Sequence, residues 1–136
     1  TLTERDANVE LARAAFDAFE RRDMDAVWAI ASDDVEVGGA PELPNAGPYR
    51  GQEGFVTWIA QWLEAWGEFR IEVIDIRAVD DQHVLVDVDQ HGRGAGSGLE
   101  VTQRGLAYLV TVRGGVVTRL FLYPDRQAAL AAAEDA

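Results

Sequence analysis

The sequence predicts an α+β domain with a strongly curved antiparallel sheet, helices gathered on one side of it, and the element order α-α-β-α-β-β-β-β-α. Three observations predict this class. Apolar residues recur at helical spacing in the first half of the chain, three β-rich runs separated by glycine-bearing breaks fill 83–123, and the apolar alternation changes phase near Val73-Ile74. The length of 136 residues is typical of one domain, so residues 1–136 are expected to fold as a single unit.

The first helix is predicted over residues 4–22, where apolar side chains recur every three or four residues. Two pairs of residues could cap its N-terminus. Thr1 with Glu4, or Thr3 with Asp6, has the spacing at which a threonine hydroxyl and an acidic side chain satisfy the first backbone N–H groups.

Two more helices are predicted before the four consecutive strands of the second half of the chain. Asp23 is expected to cap a short second helix, and a strong third helix is predicted over Gln52–Trp66, closed by Gly67 in a left-handed conformation. Trp58 and Trp62 lie on the apolar stripe of the third helix, where each ring offers ~150–250 Å² for burial. These tryptophans either pack in the core or form an aromatic wall of a ligand pocket, and both can hold for different rings.

The remaining elements follow from strand and turn signals. A short strand is predicted at Val35–Val37, and the proline-rich segment Gly38–Gly51 is predicted to be a long loop. The strand Phe69–Val79 is predicted to carry a β-bulge at Val73-Ile74, because its apolar positions shift from odd to even there. Pro124 is expected to begin a short, alanine-rich C-terminal helix.

Composition excludes several classes of function. Acidic residues outnumber basic ones 24 to 12, for a net charge of −12, so binding to nucleic acid or to an anionic membrane surface is not expected. The chain has no cysteine, which excludes disulfides and thiolate sites, and its two histidines show no metal-binding spacing. We therefore expect that the protein needs no metal or redox cofactor. We also expect a cytosolic protein, because the N-terminus does not resemble a signal peptide.

The run from His83 onward carries the most suggestive ionisable side chains. Asp87, Asp89, His91 and Arg93 share one face of a strand, and alternate valines of the same run take the other. A carboxylate beside an imidazole suits general acid–base chemistry near neutral pH, so Asp89 and His91 are candidate catalytic residues. The same pattern also fits a strand face that simply meets water.

The next two runs offer further candidates. Arg104 and Tyr108 are predicted to share a face of one strand, and Arg119, Phe121 and Tyr123 share a face of the last. A buried tyrosine hydroxyl needs a partner from protein, water or ligand. The glycine-rich segment between the first two runs does not indicate a nucleotide site, because a strand follows it where a phosphate-binding loop would open a helix.

Several segments occur in a recognisable order and spacing: Arg21–Trp28, Ser32–Glu36, Tyr49–Gly54, the Gly92–Gly98 hairpin, Gly114–Tyr123 and Asp125–Leu130. In these segments the sequence resembles the SnoaL-like polyketide cyclase branch of the nuclear transport factor 2-like fold. The resemblance implies a cone-shaped sheet with the three N-terminal-half helices packed on its concave face, a pocket between them, and a homodimer formed through the outer sheet face. It also implies that Asp89 and His91 point into the pocket.

Ketosteroid isomerases of this fold do not match the chain well. The positions of their general-base aspartate and of their oxyanion tyrosine correspond here to Gly38 and to about Ala15, neither of which can act in that way. The position of their oxyanion acid corresponds to about Tyr108, which could still donate a hydrogen bond.

Together these observations predict a pocket protein for an apolar or aromatic small molecule. As an enzyme it would catalyse proton-transfer isomerisation or aldol-type cyclisation, or act as a lyase or hydrolase, without a cofactor. Asp89 with His91 would serve as the base, and Tyr108 or Arg119 would stabilise an enolate oxygen. The predicted substrate-binding residues are Trp28, Tyr49, Trp58, Trp62, Arg104, Arg119, Phe121 and Tyr123. The alternatives are a non-catalytic binder of small ligands, or a protein-interaction or dimerisation module whose pocket is filled by side chains.

Overall fold

The computed structural model describes residues 3–135, and within them it shows four helices and one six-stranded sheet. The elements are α1 (Glu4–Glu20), α2 (Met24–Ile30), β1 (Ala31–Gly39), β2 (Tyr49–Arg50), α3 (Gly51–Ala65), β3 (Trp66–Ala78), β4 (His83–Gly94), β5 (Glu100–Arg113), β6 (Val116–Tyr123) and α4 (Arg126–Asp135). The α+β class and the element order are confirmed, with the two-residue strand β2 as an addition inside the predicted loop.

The sheet is curved and unclosed, with the strand order β2-β1-β6-β5-β4-β3. The long meander β3-β4-β5-β6 is antiparallel throughout, as predicted. The pairing of β1 with β6 is parallel, so the sheet is not purely antiparallel. This arrangement brings β1 beside β6, and α3 forms the connection between β2 and β3.

The predicted starts of α1 and α2 are confirmed, whereas α3 begins one residue earlier than predicted, at Gly51, and α4 begins at Arg126 and not at Pro124. Thr3 and Asp6 form the reciprocal capping box of α1, whereas Thr1 lies outside the described residues. The Oδ1 atom of Asp23 accepts the backbone N–H of Ala26 at 3.2 Å and caps α2. These starts could be predicted because a short polar side chain just before a helix accepts a hydrogen bond from a backbone N–H of the first turn that would otherwise have no partner.

The predicted end of the third helix is wrong. Helix α3 stops at Ala65, and Trp66 adopts an extended conformation that leads directly into β3. Gly67 therefore lies within the strand and not in a left-handed turn. The tertiary pairing of β3 with β4 overrides the local glycine signal, because Trp66 already pairs with Gly94.

Helices cover both faces of the sheet. Helices α1, α2 and α3 pack on the concave face, which we call the inner face, over a core that includes the valines at positions 84, 86 and 88. Helix α4 packs on the opposite, outer face, where Ala129 and Ala133 contact Leu85 and Leu109. The expectation that all helices gather on one side is therefore wrong for α4. Strands β4 and β5 are buried on both faces at their centres as a result.

Two bulges set which side chains reach each face. The predicted bulge on β3 is confirmed by a register shift between Val73 and Asp75. A second bulge lies on β5 at Arg104-Gly105, opposite Asp89 of β4. Gly105 has φ of 75°, a left-handed conformation that glycine adopts without strain. This extra residue turns Arg104 to the outer face.

Candidate functional site

An apolar cavity lies between the inner face of the sheet and the helices α1, α2 and α3. Its volume is about 50 Å³. Seven aromatic side chains line it: Phe16, Phe19, Phe55, Trp58, Trp62, Phe69 and Tyr108. The rest of the lining is aliphatic: Ala15, Val27, Ile30, Ala31, Ile59, Ile71, Val110, Val117 and Leu120.

The aromatic side chains form a connected wall. Along α3, Phe55 and Trp58 meet edge to face at 5.8 Å between ring centroids, and Trp58 meets Trp62 at 6.5 Å. Trp62 then stacks on Phe69 of β3 at 5.6 Å with an interplanar angle of 10°. Contacts of this kind add about 0.5–1.5 kcal/mol each to the burial of the rings. The wall is therefore part of the core as well as a lining of the cavity.

Tyr108 is the one cavity-lining residue with an ionisable side chain among those that the structure describes. It is 1% exposed, and its hydroxyl oxygen accepts the Nε2–H of Gln90 at 2.8 Å. Burial raises the pKa of the Tyr108 phenol well above its ordinary value, although the hydrogen bond from Gln90 opposes this. The phenol therefore stays protonated at neutral pH and keeps one O–H to donate.

Two buried polar atoms that have no partner among the described residues belong to side chains that line this cavity. Within residues 3–135, the indole Nε1–H groups of Trp58 and Trp62 have no hydrogen-bond acceptor, and Oε1 of Gln90 has no donor. Buried polar groups are nearly always satisfied, so these two indole N–H groups are candidate donors to a ligand. The surface of the cavity itself is almost wholly apolar.

Asp89 and His91 do not face this cavity. Both lie on the outer face, because residues with odd numbers in β4 point away from the core valines. Asp89 accepts the backbone N–H of Gly105 at 3.0 Å, and His91 lies 3.0 Å from Glu72 Oε1 and 3.1 Å from Thr102 Oγ1. The inward orientation implied by the resemblance is therefore wrong.

Four predicted substrate-binding residues also lie on the outer face. Arg104 points there because of the bulge and sits 3.5 Å from Asp89 Oδ2. Arg119 stacks its guanidinium 3.8 Å from the ring centroid of Phe121, and Tyr123 packs against the cluster beneath α4. Burial raises the pKa of Tyr123, and Arg119 opposes the shift. None of these four side chains reaches the cavity.

Trp28 and Tyr49 lie on the helical side of the domain but outside the cavity lining. Trp28 meets Phe55 edge to face at 5.2 Å. The Tyr49 hydroxyl lies 2.7 Å from Asn45 Oδ1 and 2.9 Å from Gln61 Oε1, so it ties the loop before β2 to α3. Of the predicted site residues, the structure brings Trp58, Trp62 and Tyr108 together at the cavity.

Sequence reasoning missed several residues of the cavity. Phe16 and Phe19 were visible in the helical periodicity of α1, but nothing in the sequence linked them to Tyr108, whose ring lies 5.3 Å from that of Phe16. Gln90 had a usable signal. It is the polar residue in phase with the inward-facing valines of β4, so it is the one expected to need a buried partner.

The described residues contain no group of three or more acidic, histidine or cysteine side chains that could hold a metal ion. The cavity lining offers no ligand atoms of that kind either, apart from the Tyr108 hydroxyl. Among the helices described, none is long and apolar enough to cross a membrane.

Known proteins with similar sequences and folds agree with this architecture. A sequence model of the SnoaL-like domain matches residues 12–120. The uncharacterized protein Rv0034 of Mycobacterium tuberculosis is 30% identical over 116 residues, which are 85% of this chain and 86% of that protein. A candidate polyketide cyclase from Xanthomonas campestris pv. campestris superposes with a TM-score of 0.71 at 25% identity, covering 95% of this chain and 98% of its own. TerC, co-crystallized with polyporic acid, superposes with a TM-score of 0.75 at 19% identity, covering 96% and 99%, which shows the fold alone.

Proposed function

Because the chain belongs to the SnoaL-like family within the nuclear transport factor 2-like superfamily, we propose that it binds a small, mostly apolar molecule in the inner cavity. One observation carries this proposal. An aromatic-walled cavity adjoins two buried indole N–H donors that have no acceptor within residues 3–135. A ligand with an aromatic ring and a carbonyl oxygen matches both the walls and the donors.

The volume of the cavity limits what it can hold without rearrangement. A cavity of about 50 Å³ has room for roughly three or four water molecules, whereas an engineered cavity of ~150 Å³ accepts benzene. A polycyclic ligand therefore requires the cavity to widen. Phe19 of α1 and Ile59 of α3 line the cavity and are only half-buried, so we expect the widening to occur at these side chains.

Binding without catalysis is better supported than proton-transfer chemistry in this cavity. Isomerisation and aldol-type cyclisation both need a general base within hydrogen-bond reach of the substrate. Among the described residues that line the cavity, Tyr108 alone could exchange a proton, and the raised pKa of its phenol makes it a donor and not a base. A catalytic role for Asp89 and His91 stays a prediction, and it would need a substrate on the outer face.

The small volume also favours a second candidate function. If side chains fill the interior, the domain acts as a protein-interaction or dimerisation module, with the outer sheet face as the predicted contact between two copies. The observation in its favour is the same cavity volume of about 50 Å³, which is small for a metabolite. The cytosolic location predicted from composition fits either candidate and stays a prediction.

Tryptophan fluorescence distinguishes these two functions. We expect polycyclic ketones and phenols to quench the fluorescence saturably, and native mass spectrometry of the purified protein to detect any retained ligand. Trp62→Phe removes an unpartnered donor of the cavity wall and should weaken binding roughly tenfold. Trp28→Phe is the matched control, because Trp28 does not line the cavity, and it should change affinity less than twofold.

Two results would contradict the binding proposal. The first is the absence of quenching and of any retained ligand across the panel, which would favour the filled module. The second is equal loss of affinity in both tryptophan variants, which would place the ligand elsewhere. His91→Ala should leave binding unchanged, since the His91 side chain lies on the opposite face of the sheet.

A further inference from the structure

A row of polar side chains crosses the outer face of the sheet at one level. Strand register places one member of the row on each of five neighbouring strands, from β4 through β5, β6 and β1 to β2. Its members are His83, Thr111, Arg119, Glu36 and Arg50. The row lines a groove of about 370 Å³ on the face opposite the inner cavity.

His83 is the unusual member of the row. Its side chain is 6% exposed, and its Nδ1 atom lies 2.9 Å from Asp80 Oδ2. Asp80 also accepts the backbone N–H groups of Gln82 and His83, each at 2.8 Å, so its carboxylate is held in place behind the imidazole. A carboxylate can only accept a hydrogen bond, so the Nδ1 atom of the imidazole carries a hydrogen and donates it to Asp80. The other ring nitrogen, Nε2, is not engaged by Asp80.

The Nε2 atom of His83 is buried and has no partner within residues 3–135. His83 lines the groove, so its imidazole ring borders any molecule that binds there. The carboxylate of Asp80 fixes the orientation of this ring, as outer carboxylates do for metal-binding histidines. His83 does not line the inner cavity, so the binding proposed there does not involve it.

The charges around the groove favour an anionic ligand. Arg50 and Arg119 approach the same carboxylate, that of Glu36, at 2.9 and 3.5 Å. Arg113 also lines the groove, and it forms no ion pair with any described residue. Asp34, at the exposed rim, is the second carboxylate of the lining, so three guanidinium groups face two carboxylates in a chain whose net charge is −12.

We propose that this groove is a second binding site, which takes a small oxyanion such as a carboxylate or a phosphate group between His83 and the side chains of Arg113 and Arg119. The guanidinium N–H groups would donate to its oxygens, and Nε2–H of His83 would do so in the protonated form of the ring, since the neutral ring with its hydrogen on Nδ1 has none there. Charge-assisted hydrogen bonds of this kind are the stronger class. The site is independent of the inner cavity, because the sheet separates them.

The two histidines of the chain provide a direct test. Inorganic phosphate and acetate are titrated separately into the full chain while the imidazole resonances of His83 and His91 are followed by NMR. We expect a saturable shift of the His83 ring with at least one anion, while the His91 ring, near the other end of β4, stays unchanged. Phosphate alone would identify a phosphate-type ligand, and acetate alone a carboxylate.

Variants with matched charge changes locate the site. Arg113→Gln should weaken anion binding roughly tenfold, because it removes an exposed guanidinium with no other ion pair among the described residues. Arg93→Gln is the control, since it removes the same charge from the same strand as His91, where Arg93 pairs with Glu100 at 2.7 Å. It should change the affinity less than twofold. Neither arginine is buried, so both variants are expected to fold.

Four outcomes would overturn the proposal. The first is that neither anion shifts the His83 ring, and the second is that both histidine rings shift in parallel. The third is a His83 shift that follows protein concentration and not anion concentration, which would make the row a contact between two copies of the chain. Equal affinities for the Arg113→Gln and Arg93→Gln proteins would also refute the assignment.

Discussion

The buried hydrogen bond between Gln90 and Tyr108 gives the sharpest test of the interior. The two side chains are 2% and 1% exposed, and Gln90 Nε2 donates to the Tyr108 oxygen at 2.8 Å. No other described side chain satisfies the Gln90 amide, whose Oε1 already has no partner. Tyr108→Phe removes the phenol oxygen and therefore leaves both polar atoms of the amide unsatisfied.

The expected cost follows from this geometry. Leaving a buried polar group unpaired costs about 1–3 kcal/mol, so we expect Tyr108→Phe to lower the free energy of unfolding by about 2 kcal/mol. For a domain of this size that corresponds to a fall of about 7 °C in Tm. Gln90→Leu should cost a similar amount, because it strands the phenol. The double variant removes both groups and should be more stable than the sum of the single effects by about 1–2 kcal/mol.

Urea unfolding at constant m-value measures these differences. Tyr49→Phe is the matched control, since the Tyr49 hydroxyl is nearer to solvent and its loss should cost less than about 1 kcal/mol. Two results would refute the reasoning. One is a Tyr108→Phe protein as stable as the parent, and the other is strict additivity of the two single effects in the double variant.

Two further predictions concern turns and the His83 partner. Gly105→Ala should lower the free energy of unfolding by about 1–2 kcal/mol in urea, because φ at this bulge is 75° and a residue with a Cβ atom is strained there. Gly96→Ala, in the open β4–β5 turn, is the control and should be nearly neutral. Burial raises the pKa of Asp80, but hydrogen bonds from Gln82 and His83 outweigh it, so its pKa is lowered below 3.8. A carboxyl of this kind stabilises the fold above its ordinary pKa, so Asp80→Asn should be less stable than the parent at neutral pH. The difference should vanish as the pH falls below 3.8, and a difference independent of pH would contradict it.

The sequence by itself determined every element except the two-residue strand β2, and where several of them begin. The starts of α1 and α2 depend on Thr3, Asp6 and Asp23, whose side chains bond backbone groups only three residues away. The bulge of β3 was visible because one extra residue reverses the alternation of apolar side chains on the same strand. These features are local, so a local pattern is enough to predict them. The family was also recognisable from the order of its segments.

Only the tertiary structure decided which side chains meet in the cavity. Alternation along β4 separates Asp89 and His91 from the valines, but it does not say which of the two faces the helices cover. Helix α4 buries Leu85 and Leu109 on the outer face, so apolar residues occupy both faces of the sheet. The alternation of apolar residues therefore cannot identify the face that α1, α2 and α3 cover. The Gly105 bulge then reverses Arg104 relative to Tyr108. Strand register and helix packing join residues far apart in the chain, and for that reason the polar row through His83 and the partnership of Gln90 with Tyr108 appear only in the folded protein.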